Sequence, residues 1–324
     1  MATVCIGIDV GGTFIKFGLL DENRLPSEVF QLPTPSDGVD AVIEQMIAGA
    51  KQAVTKAELT MDDVVGAGIG CPGPLSMSQG IVYETPNIPG MKNVALRDRV
   101  SAGLGVPASL ENDANAAAFG EYLCGAGKEC QDMVLLTLGT GLGGGVIVGG
   151  KVVRGAHEIG AELGHMIIVP DGRQCGCGQR GCIEQYCSAT FMSRAAQRTL
   201  AETDRPSRLR DVLAAAGEIN SKDINEARIA GDEFAAEVWD EMARHLARGC
   251  VSYSRILDPD RIVLAGGMTA AGDDLLGPVT KYYEQYHWKL TDVRTSLALA
   301  TLGNDAGVIG SAGVAWQECG GNKA

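Results

Sequence analysis

Basic and aromatic side chains are scarce in this sequence of 324 residues. Lys and Arg total 27 against 40 Asp and Glu, and the resulting formal net charge of −13 opposes binding to polyanions such as nucleic acid. No apolar run approaches the length of a membrane-spanning helix, and residues 1–4 lack the basic region and cleavage site of a secretion signal. We therefore expect a cytoplasmic protein with neither nucleic-acid nor membrane partners.

Glycine and cysteine, in contrast, are abundant. The chain contains 44 glycines and only 5% aromatic residues, a composition that favours an α/β enzyme with many tight turns. Its length exceeds the usual span of one domain, so we expect two lobes. Because the chain shows no secretion signal, its ten cysteines are expected to be reduced, buried or bound to metal.

One group of these cysteines follows the most specific pattern in the sequence. The segment Glu162-Leu-Gly-His165 is followed by Cys175-x-Cys-x4-Cys182. Three thiolates and one imidazole in a single loop form the ligand set of a closed tetrahedral zinc site. The predicted ligands of a structural zinc ion are His165, Cys175, Cys177 and Cys182.

Other interpretations of these cysteines stay open from the sequence alone. The thiols could be reduced without a metal, or two of them could form a disulfide. Cys187 is also close enough in sequence to replace one of the four ligands. If zinc is bound, it orders a glycine-rich loop and holds the carboxylates of Glu162 and Glu184 at fixed positions.

Two glycine turns follow predicted strands and have the character of phosphate-binding hairpins. Residues 4–10 and 14–20 are predicted strands joined through Asp9-Val-Gly11-Gly12-Thr13. The backbone amides of this turn can approach a phosphate, Asp9 can hold a hydrated magnesium ion, and Thr13 or Lys16 can reach phosphate oxygens. The pattern is not the Gly-x4-Gly-Lys-Ser/Thr loop, and an ordinary Gly-Gly hairpin would fit the same residues.

The second turn repeats this design and strengthens the interpretation. The predicted strand 133–138 runs into Gly139-Thr140-Gly141, and another strand follows over residues 146–148. Two related hairpins suggest a duplicated architecture with a nucleotide clamped between the halves. After a further strand over residues 260–265, Gly266 and Gly267 provide a surface without side chains on which a purine or ribose can lie.

A third junction carries the candidate catalytic group. A predicted strand over residues 107–110 leads to Glu111-Asn112-Asp113, and residues 114–123 are strongly helix-forming. Proteins of the α/β class place ligands at such strand-to-helix junctions. A purely local reading, in which Asp113 caps the helix, fits the sequence equally well.

The spacing of apolar residues in the rest of the sequence predicts the other helices and strands. Apolar residues at helical spacing predict helices over residues 37–57, 96–104, 192–200, 209–216, 224–230, 234–256 and 306–316. Ser36 is the predicted N-cap of the first helix. Further strands are predicted over residues 64–70 and 296–302. In the longest helix, Trp239, Met242 and His245 are expected to serve packing and not chemistry.

The order of motifs along the chain resembles that of a known family. The motifs are Asp9-x-Gly-Gly-Thr-x-x-Lys16, Gly70-x-Pro-Gly-Pro74, Glu111-Asn-Asp113, Gly139-Thr-Gly141, Glu162-x-x-His165, Cys175-x-Cys-Gly-x-x-Gly-Cys-x-Glu184 and Leu264-Ala-Gly-Gly267. Over essentially the whole chain they resemble the ROK family of sugar kinases, and the segments 160–166 and 184–186 look most like its bacterial glucokinases.

This resemblance implies an α/β, actin-like ATPase fold of the hexokinase and Hsp70 type, with two lobes, a duplicated core and a structural zinc loop. The implied smaller lobe consists of residues 1–112 and 303–324. The implied larger lobe, residues 113–302, carries the zinc loop and the dimerisation helices. By resemblance we also expect a homodimer or homotetramer.

The resemblance implies ATP-dependent phosphorylation of the 6-hydroxyl of glucose, with Asp113 as the catalytic base and magnesium as a cofactor. The alternative substrate is another hexose or N-acetylhexosamine, namely N-acetylmannosamine, N-acetylglucosamine, mannose or fructose. The expected sugar-binding residues are Gly73, Asn87, Asn112, Asp113, Glu162, His165 and Glu184. The residues expected to bind ATP and magnesium are Asp9, Gly11, Gly12, Thr13, Lys16, Gly139, Thr140, Gly141, Gly266 and Gly267.

Two other functional classes are weighed against the kinase. A sugar-sensing repressor of the same family carries an N-terminal helix-turn-helix domain, for which we expect no room before the strand at Val4. A zinc-stabilised binding protein without catalysis would be expected to lack Asp113 or one of the glycine turns. All of these features are present, which favours the kinase.

Overall fold

A computed structural model describes residues 3–85, 87, 88, 90–292 and 294–320 of the chain. The strands in this part of the chain are β1 (Val4–Val10), β2 (Phe14–Asp21), β3 (Phe30–Pro33), β4 (Val64–Cys71), β5 (Leu75–Ser76), β6 (Ile81–Glu84), β7 (Lys92–Val94), β8 (Ala108–Asn112), β9 (Met133–Leu138), β10 (Leu142–Val148), β11 (Lys151–Val152), β12 (Arg261–Ala265) and β13 (Ser296–Leu299).

The helices in the same residues are α1 (Val39–Lys56), α2 (Leu96–Leu104), α3 (Asp113–Cys124), α4 (Glu184–Cys187), α5 (Ala189–Glu202), α6 (Leu209–Ala216), α7 (Ser221–Ile229), α8 (Glu233–Leu257), α9 (Asp273–Tyr286) and α10 (Ala306–Cys319). None of these described helices combines the length and the apolar character that a membrane span requires.

Most predicted elements are confirmed. The helices predicted over residues 96–104 and 209–216 have the same bounds in the structure, and Trp239 and Met242 are buried in α8 as expected. His245 also serves packing, with its ring centroid 4.6 Å from that of Tyr186. The predicted N-cap at Ser36 is wrong, because α1 begins at Val39 and its N-cap is Gly38, which offers no side chain for a capping hydrogen bond.

Two five-stranded sheets repeat one strand order. The first has the order β3-β2-β1-β4-β8 and the second the order β11-β10-β9-β12-β13. In each sheet the leading strand lies at the centre and pairs in parallel with a later strand, β1 with β4 and β9 with β12. A glycine turn follows the leading strand in both cases. The repeat confirms the predicted duplication of the core.

The third sheet, β5-β6-β7, was not among the predicted elements. Its strands are two to four residues long, which is too short for a periodic pattern to appear in the sequence. Asn87, a candidate sugar ligand, lies between β6 and β7, and the neighbouring Pro86 and Pro89 lie outside the described residues.

Helix α10 packs directly on the backbone of the first sheet. A Cβ atom added to Gly7 of β1 would lie 2.0 Å from the Val308 carbonyl oxygen, and one added to Gly68 of β4 would lie 1.7 Å from that of Ser311. At the first turn of the helix, a Cβ on Gly307 would lie 2.9 Å from Cγ of Asp9. The glycines therefore let the start of α10 reach the side chain at the end of β1.

The chain divides by its contacts into two compact units. The first comprises Met1–Cys130, Gly145–Ala161 and Thr301–Ala324, and the second comprises Gln131–Gly144 and Glu162–Ala300. This division assigns residues 113–130 and 145–161 to the first unit, whereas the lobes inferred by resemblance separate at residues 112 and 302. The lobe boundaries stay a prediction.

The close approach of α10 to its neighbours predicts how two glycines respond to alanine. A Cβ on Gly310 would lie 1.6 Å from the carbonyl oxygen of Ala116 in α3, which is backbone and cannot move aside. In α2, a Cβ on Gly103 would meet only side-chain atoms of Ile47 and no backbone, with Cδ1 at 2.2 Å and Cγ1 at 2.9 Å. We expect Gly310→Ala to destabilise the protein by about 1 to 3 kcal/mol or more.

The matched variant Gly103→Ala should change stability by less than about 1 kcal/mol, because Ile47 can repack and alanine favours the helix. Thermal unfolding followed by circular dichroism measures both. Equal effects of the two substitutions would contradict the packing described for α10.

Candidate active site

The first glycine hairpin forms as predicted and carries a pair of charged side chains. Asp9 and Lys16 are register partners in the antiparallel pair β1–β2, and Lys16 Nζ lies 3.5 Å from Asp9 Oδ2. Lys16 Nζ also donates to the carbonyl oxygen of Asn304 at 2.9 Å. The Gly11 amide donates to the Phe14 carbonyl at 3.0 Å, so this amide closes the turn itself.

Asp9 and Asp113 are two partly buried carboxyl groups in the first unit that interact electrostatically. Burial raises the pKa of Asp9, Lys16 lowers it, and the charge of Asp113 raises it further. Burial also raises the pKa of Asp113, against hydrogen bonds from its own first helical turn. Two acidic groups that resist ionisation together favour a nearby cation, and carboxylate oxygen is the ligand type that magnesium prefers.

Asn112, and not Asp113, is the N-cap of helix α3. Asn112 Oδ1 accepts hydrogen bonds from the amides of Ala114 at 2.9 Å and Asn115 at 3.2 Å. Asp113 is the first residue of the helix, and its Oδ1 accepts from the Ala114 amide at 2.9 Å. The local reading in which Asp113 serves as the cap is therefore wrong, because the cap position is already occupied.

Two further candidate sugar ligands lie in the first unit. A Cβ on Gly12 would lie 2.7 Å from the carbonyl oxygen of Asn87, so the exposed Asn87 lies against the glycine hairpin. Gly73 has a left-handed φ of 99°, and a Cβ there would lie 2.3 Å from the Glu84 carbonyl oxygen. The turn after β4 thus requires glycine at position 73.

The second glycine turn lies beside Glu184 in the second unit. Glu184 Oε2 accepts from the Leu142 amide at 3.0 Å, and a Cβ on Gly141 would lie 2.6 Å from the same oxygen. The amide of Gly139 donates to the Gly141 carbonyl at 3.0 Å and so closes this turn, as the amide of Gly11 does in the first hairpin. Thr140, at the tip, is exposed.

The glycine pair after β12 has two different environments. Gly266 has a φ of 89°, and a Cβ there would lie 2.5 Å from the carbonyl oxygen of Leu138 at the end of β9. Gly267 begins a short 3-10 turn, and its Cβ would meet nothing within 4 Å. Gly266 therefore allows two strand ends to meet, while Gly267 leaves open backbone for a ligand.

The four predicted zinc ligands converge in the second unit. The side-chain ligand atoms of His165, Cys175, Cys177 and Cys182 all lie within 4.8 Å of one another. Cys177 Sγ lies 3.7 Å from Cys182 Sγ, and Cys175 Sγ lies 3.6 Å from His165 Nδ1. A tetrahedral zinc with Zn–S of about 2.3 Å and Zn–N of about 2.0 Å separates two sulfurs by about 3.8 Å and sulfur from nitrogen by about 3.5 Å. The residues therefore fit a zinc ion, with the His165 Nδ1 side of the ring turned to the metal.

Two of the alternatives for these cysteines are resolved. All ten cysteines are free thiols, which removes the disulfide interpretation. Cys187 does not join the cluster, because its buried Sγ lies 3.7 Å from the carbonyl oxygen of Met242 in α8. Cys187 is therefore not a substitute ligand.

The loop that carries the predicted zinc ligands, residues 162–184, is held to the surrounding helices by contacts that the sequence did not reveal. Tyr253 Oη of α8 donates to the Leu163 carbonyl at 2.7 Å. The guanidinium of Arg173 donates to the Gln185 carbonyl at 2.9 Å and lies over the ring of Tyr186, with its central carbon 4.4 Å from the ring centroid. These contacts fix the loop that carries His165 at one end and Glu184 at the other, while the Glu162 side chain stays exposed.

The similarity of this chain to known proteins extends over nearly its whole length. The model of the ROK family matches residues 5–318. The glucokinase of Halalkalibacterium halodurans is 35% identical over 315 residues, which is 97% of this chain and 95% of that protein. The glucokinase of Streptomyces coelicolor is 37% identical over 321 residues, 96% of each chain.

Solved structures give the same result. The ROK hexokinase of Thermus thermophilus superposes with a TM-score of 0.83 at 32% identity and covers 98% of this chain and 99% of its own. A ROK family glucokinase of Streptomyces griseus, in complex with glucose and AMPPNP, has a TM-score of 0.76 at 35% identity. The match covers 97% of this chain and 99% of that structure's chain. The predicted actin-like fold is confirmed.

The cysteine geometry predicts which thiols a metal requires. Cys182→Ser should lose zinc and lower thermal stability and sugar affinity together, because the loop that bears Glu184 would no longer be held. Cys187→Ser is the matched control and should keep about one zinc per chain, since its thiol lies against the Met242 carbonyl. Metal content is measured by mass spectrometry of the purified variants. Full zinc in Cys182→Ser, or none in the unaltered protein, would contradict the assignment.

Proposed function

Because this chain belongs to the ROK family, we propose that it acts as a glucokinase that transfers a phosphoryl group from ATP to the 6-hydroxyl of glucose. Relatives at 35% and 37% identity over nearly the full length are glucokinases, and the Streptomyces griseus structure holds glucose with the ATP analogue AMPPNP. The observation that carries the proposal is that Asp113, at the start of α3, lies close enough to Asp9 of the glycine hairpin to raise its pKa.

Asp113 is the proposed general base. Its partial burial at the start of α3 raises its pKa, and a base accepts a proton more readily when its pKa is closer to the working pH. Asp113 would orient the 6-hydroxyl and take its proton as the oxygen attacks the γ-phosphorus in line.

Neutral sugars offer only hydroxyl groups, so they are bound by hydrogen bonds to amides and carboxylates. In the first unit, Asn112 uses its Oδ1 as the helix cap, and its Nδ2, which donates to no other described residue, is the proposed donor to a sugar hydroxyl. Gly73 and Asn87 are further proposed ligands.

In the second unit, the proposed sugar ligands are Glu162, His165 and Glu184. The Nδ1 side of the His165 ring faces the cysteines, which leaves Nε2 for the sugar. Zinc, when bound, supplies no chemistry and fixes the loop.

The phosphate groups are the proposed ligands of the glycine turns. The amides of Gly11 and Gly139 close their own turns, so the contacts fall to the amides of Gly12, Thr13, Thr140 and Gly141. Lys16 would reach phosphate oxygens, and Asp9 would hold hydrated magnesium, which supplies charge neutralisation on the transferring group. Gly266 and Gly267 are proposed to lie against the nucleoside.

Another sugar remains the second candidate for one specific reason. The N-acetylmannosamine kinase of Salmonella typhi is 29% identical over 311 residues, which is 95% of this chain. Its lower identity favours glucose.

We further propose, by resemblance to the family, a homodimer or homotetramer that works in the cytoplasm as part of glycolysis.

The role of Asp113 is tested by Asp113→Asn. The amide has nearly the same shape but cannot accept the proton, so kcat should fall by about 10² to 10⁴-fold while glucose affinity stays within a few fold. Stopped assays of ATP turnover and calorimetric titration with glucose measure the two quantities. Near-normal kcat in this variant would remove Asp113 from the role of base.

The pH dependence of the unaltered chain gives a second readout of the same role. The carboxylate is the active form, so the rate should fall as pH drops through the Asp113 pKa, and burial places that fall above the usual aspartate value of about 3.9. A rate that falls only at the usual pKa of aspartate would contradict the raised pKa of Asp113.

A further inference from the structure

Glu111, the residue before the helix cap, is a buried carboxylate that the proposed mechanism does not use. It is only 1% exposed. Oε1 accepts from the Asn112 amide at 2.9 Å and from Asn115 Nδ2 at 3.0 Å, and Oε2 accepts from Arg154 Nε at 2.7 Å. A carboxylate this deeply buried is tolerated only when it is paired and fully hydrogen-bonded. Arg154 provides the one cationic partner among these donors.

Arg154 itself is fixed in place. Its second carboxylate partner is Glu318 near the end of α10, at 2.5 Å. Burial lowers the pKa of Arg154, but Glu111 and Glu318 more than offset this and raise it, so the guanidinium stays charged. Its carbonyl oxygen accepts from the Gly160 amide at 2.9 Å, which ties down the segment that follows.

That following segment has an unusual backbone. Gly155, Glu158 and Ala161 have left-handed φ values of 77°, 59° and 63°. The Glu158 carboxylate accepts from Ser76 Oγ and from the Ser78 amide, both at 2.8 Å. Non-glycine residues hold such angles only where surrounding contacts enforce them. The backbone around Arg154 is therefore held at a defined position.

The hydrogen bonds of Glu111 flank the proposed base. Asn112 precedes Asp113, and Asn115 lies two residues after it in the first turn of α3. The position of the Glu111 carboxylate thus sets the direction in which this turn leaves β8. A displacement of about 1 Å at a reacting group can lower a rate by about 10²-fold.

We propose that Arg154 is a positioning residue for phosphoryl transfer, holding Glu111 and, through it, the helical turn that carries Asn112 and Asp113. Arg154 touches neither substrate nor reacting atoms in this proposal, which rests on the proposed function of Asp113. It fixes the angle at which the base meets the sugar hydroxyl.

The test replaces the guanidinium and asks what happens to kcat. Arg154→Met should lower kcat at saturating sugar and ATP by about tenfold or more, with the KM for ATP unchanged within about twofold. Arg154→Lys keeps the positive charge but loses the planar set of guanidinium donors. Its kcat should therefore lie between that of the unaltered chain and that of Arg154→Met. Circular dichroism and zinc content confirm that each variant is folded before its rate is compared.

Two further variants separate positioning from general stability. Glu318→Gln removes the charge of the other Arg154 partner but keeps an oxygen that can accept from Arg154 Nη2, so kcat should stay within about twofold of that of the unaltered chain. In the double variant Glu111→Gln, Arg154→Met, the glutamine Oε1 can still accept from Asn112 and Asn115 while no unpaired charge is buried. This variant should recover part of the kcat lost in Arg154→Met.

A folded, zinc-loaded Arg154→Met with unaltered kcat would overturn the proposal, as would a double variant no faster than Arg154→Met. If Arg154→Met does not fold, an unaltered kcat in Arg154→Lys overturns it. The unaltered chain is assayed first on glucose and other hexoses, so a failure of the proposed function appears there, before any variant is compared. The variants are then measured on the sugar that the chain prefers.

Discussion

The partial burial of two acidic side chains, Asp9 and Asp113, in one unit is the constraint on which the candidate active site depends. Each resists ionisation because it is removed from water, and Asp9 resists further because Asp113 lies near it. Such an arrangement is unfavourable for folding alone. It is consistent with a site that must hold a cation and accept a proton, because both processes relieve the cost of burying the charges.

Much of the first unit can be understood as the support for these two groups. Glycines in β1, β4 and α10 allow the helix to approach the sheet so closely that Gly307 contacts Asp9. At the other group, the Asn112 cap and the buried Glu111 carboxylate hold the turn that begins with Asp113. In the second unit the proposed counterpart is the cluster of His165, Cys175, Cys177 and Cys182, which could hold a metal ion in the loop that leads to Glu184. Rigid supports of this kind hold catalytic groups in a productive geometry before the substrate arrives.

The parts of the site that were predicted from sequence have local signals. The cysteine spacing defines a tetrahedral ligand set, and the two hairpins repeat a strand, a glycine turn and a strand. The parts that were missed depend on contacts between distant positions. Arg154 and Glu111 lie 43 residues apart in the chain, and neither stands in a pattern that points to the other. The cap at residue 112 was also ambiguous, because asparagine and aspartate stand side by side and both residue types favour that position.

The central claim is that this chain phosphorylates glucose from ATP, and one steady-state comparison tests it most directly. The zinc-loaded protein is assayed with ATP and magnesium on glucose, mannose, fructose, N-acetylglucosamine and N-acetylmannosamine, and kcat/KM is compared. We predict that glucose gives the highest kcat/KM, by about tenfold or more, because hydroxyl-specific hydrogen bonds discriminate strongly among sugars. A higher kcat/KM on another sugar would contradict the substrate assignment, and no turnover on any of the five sugars would contradict the kinase itself.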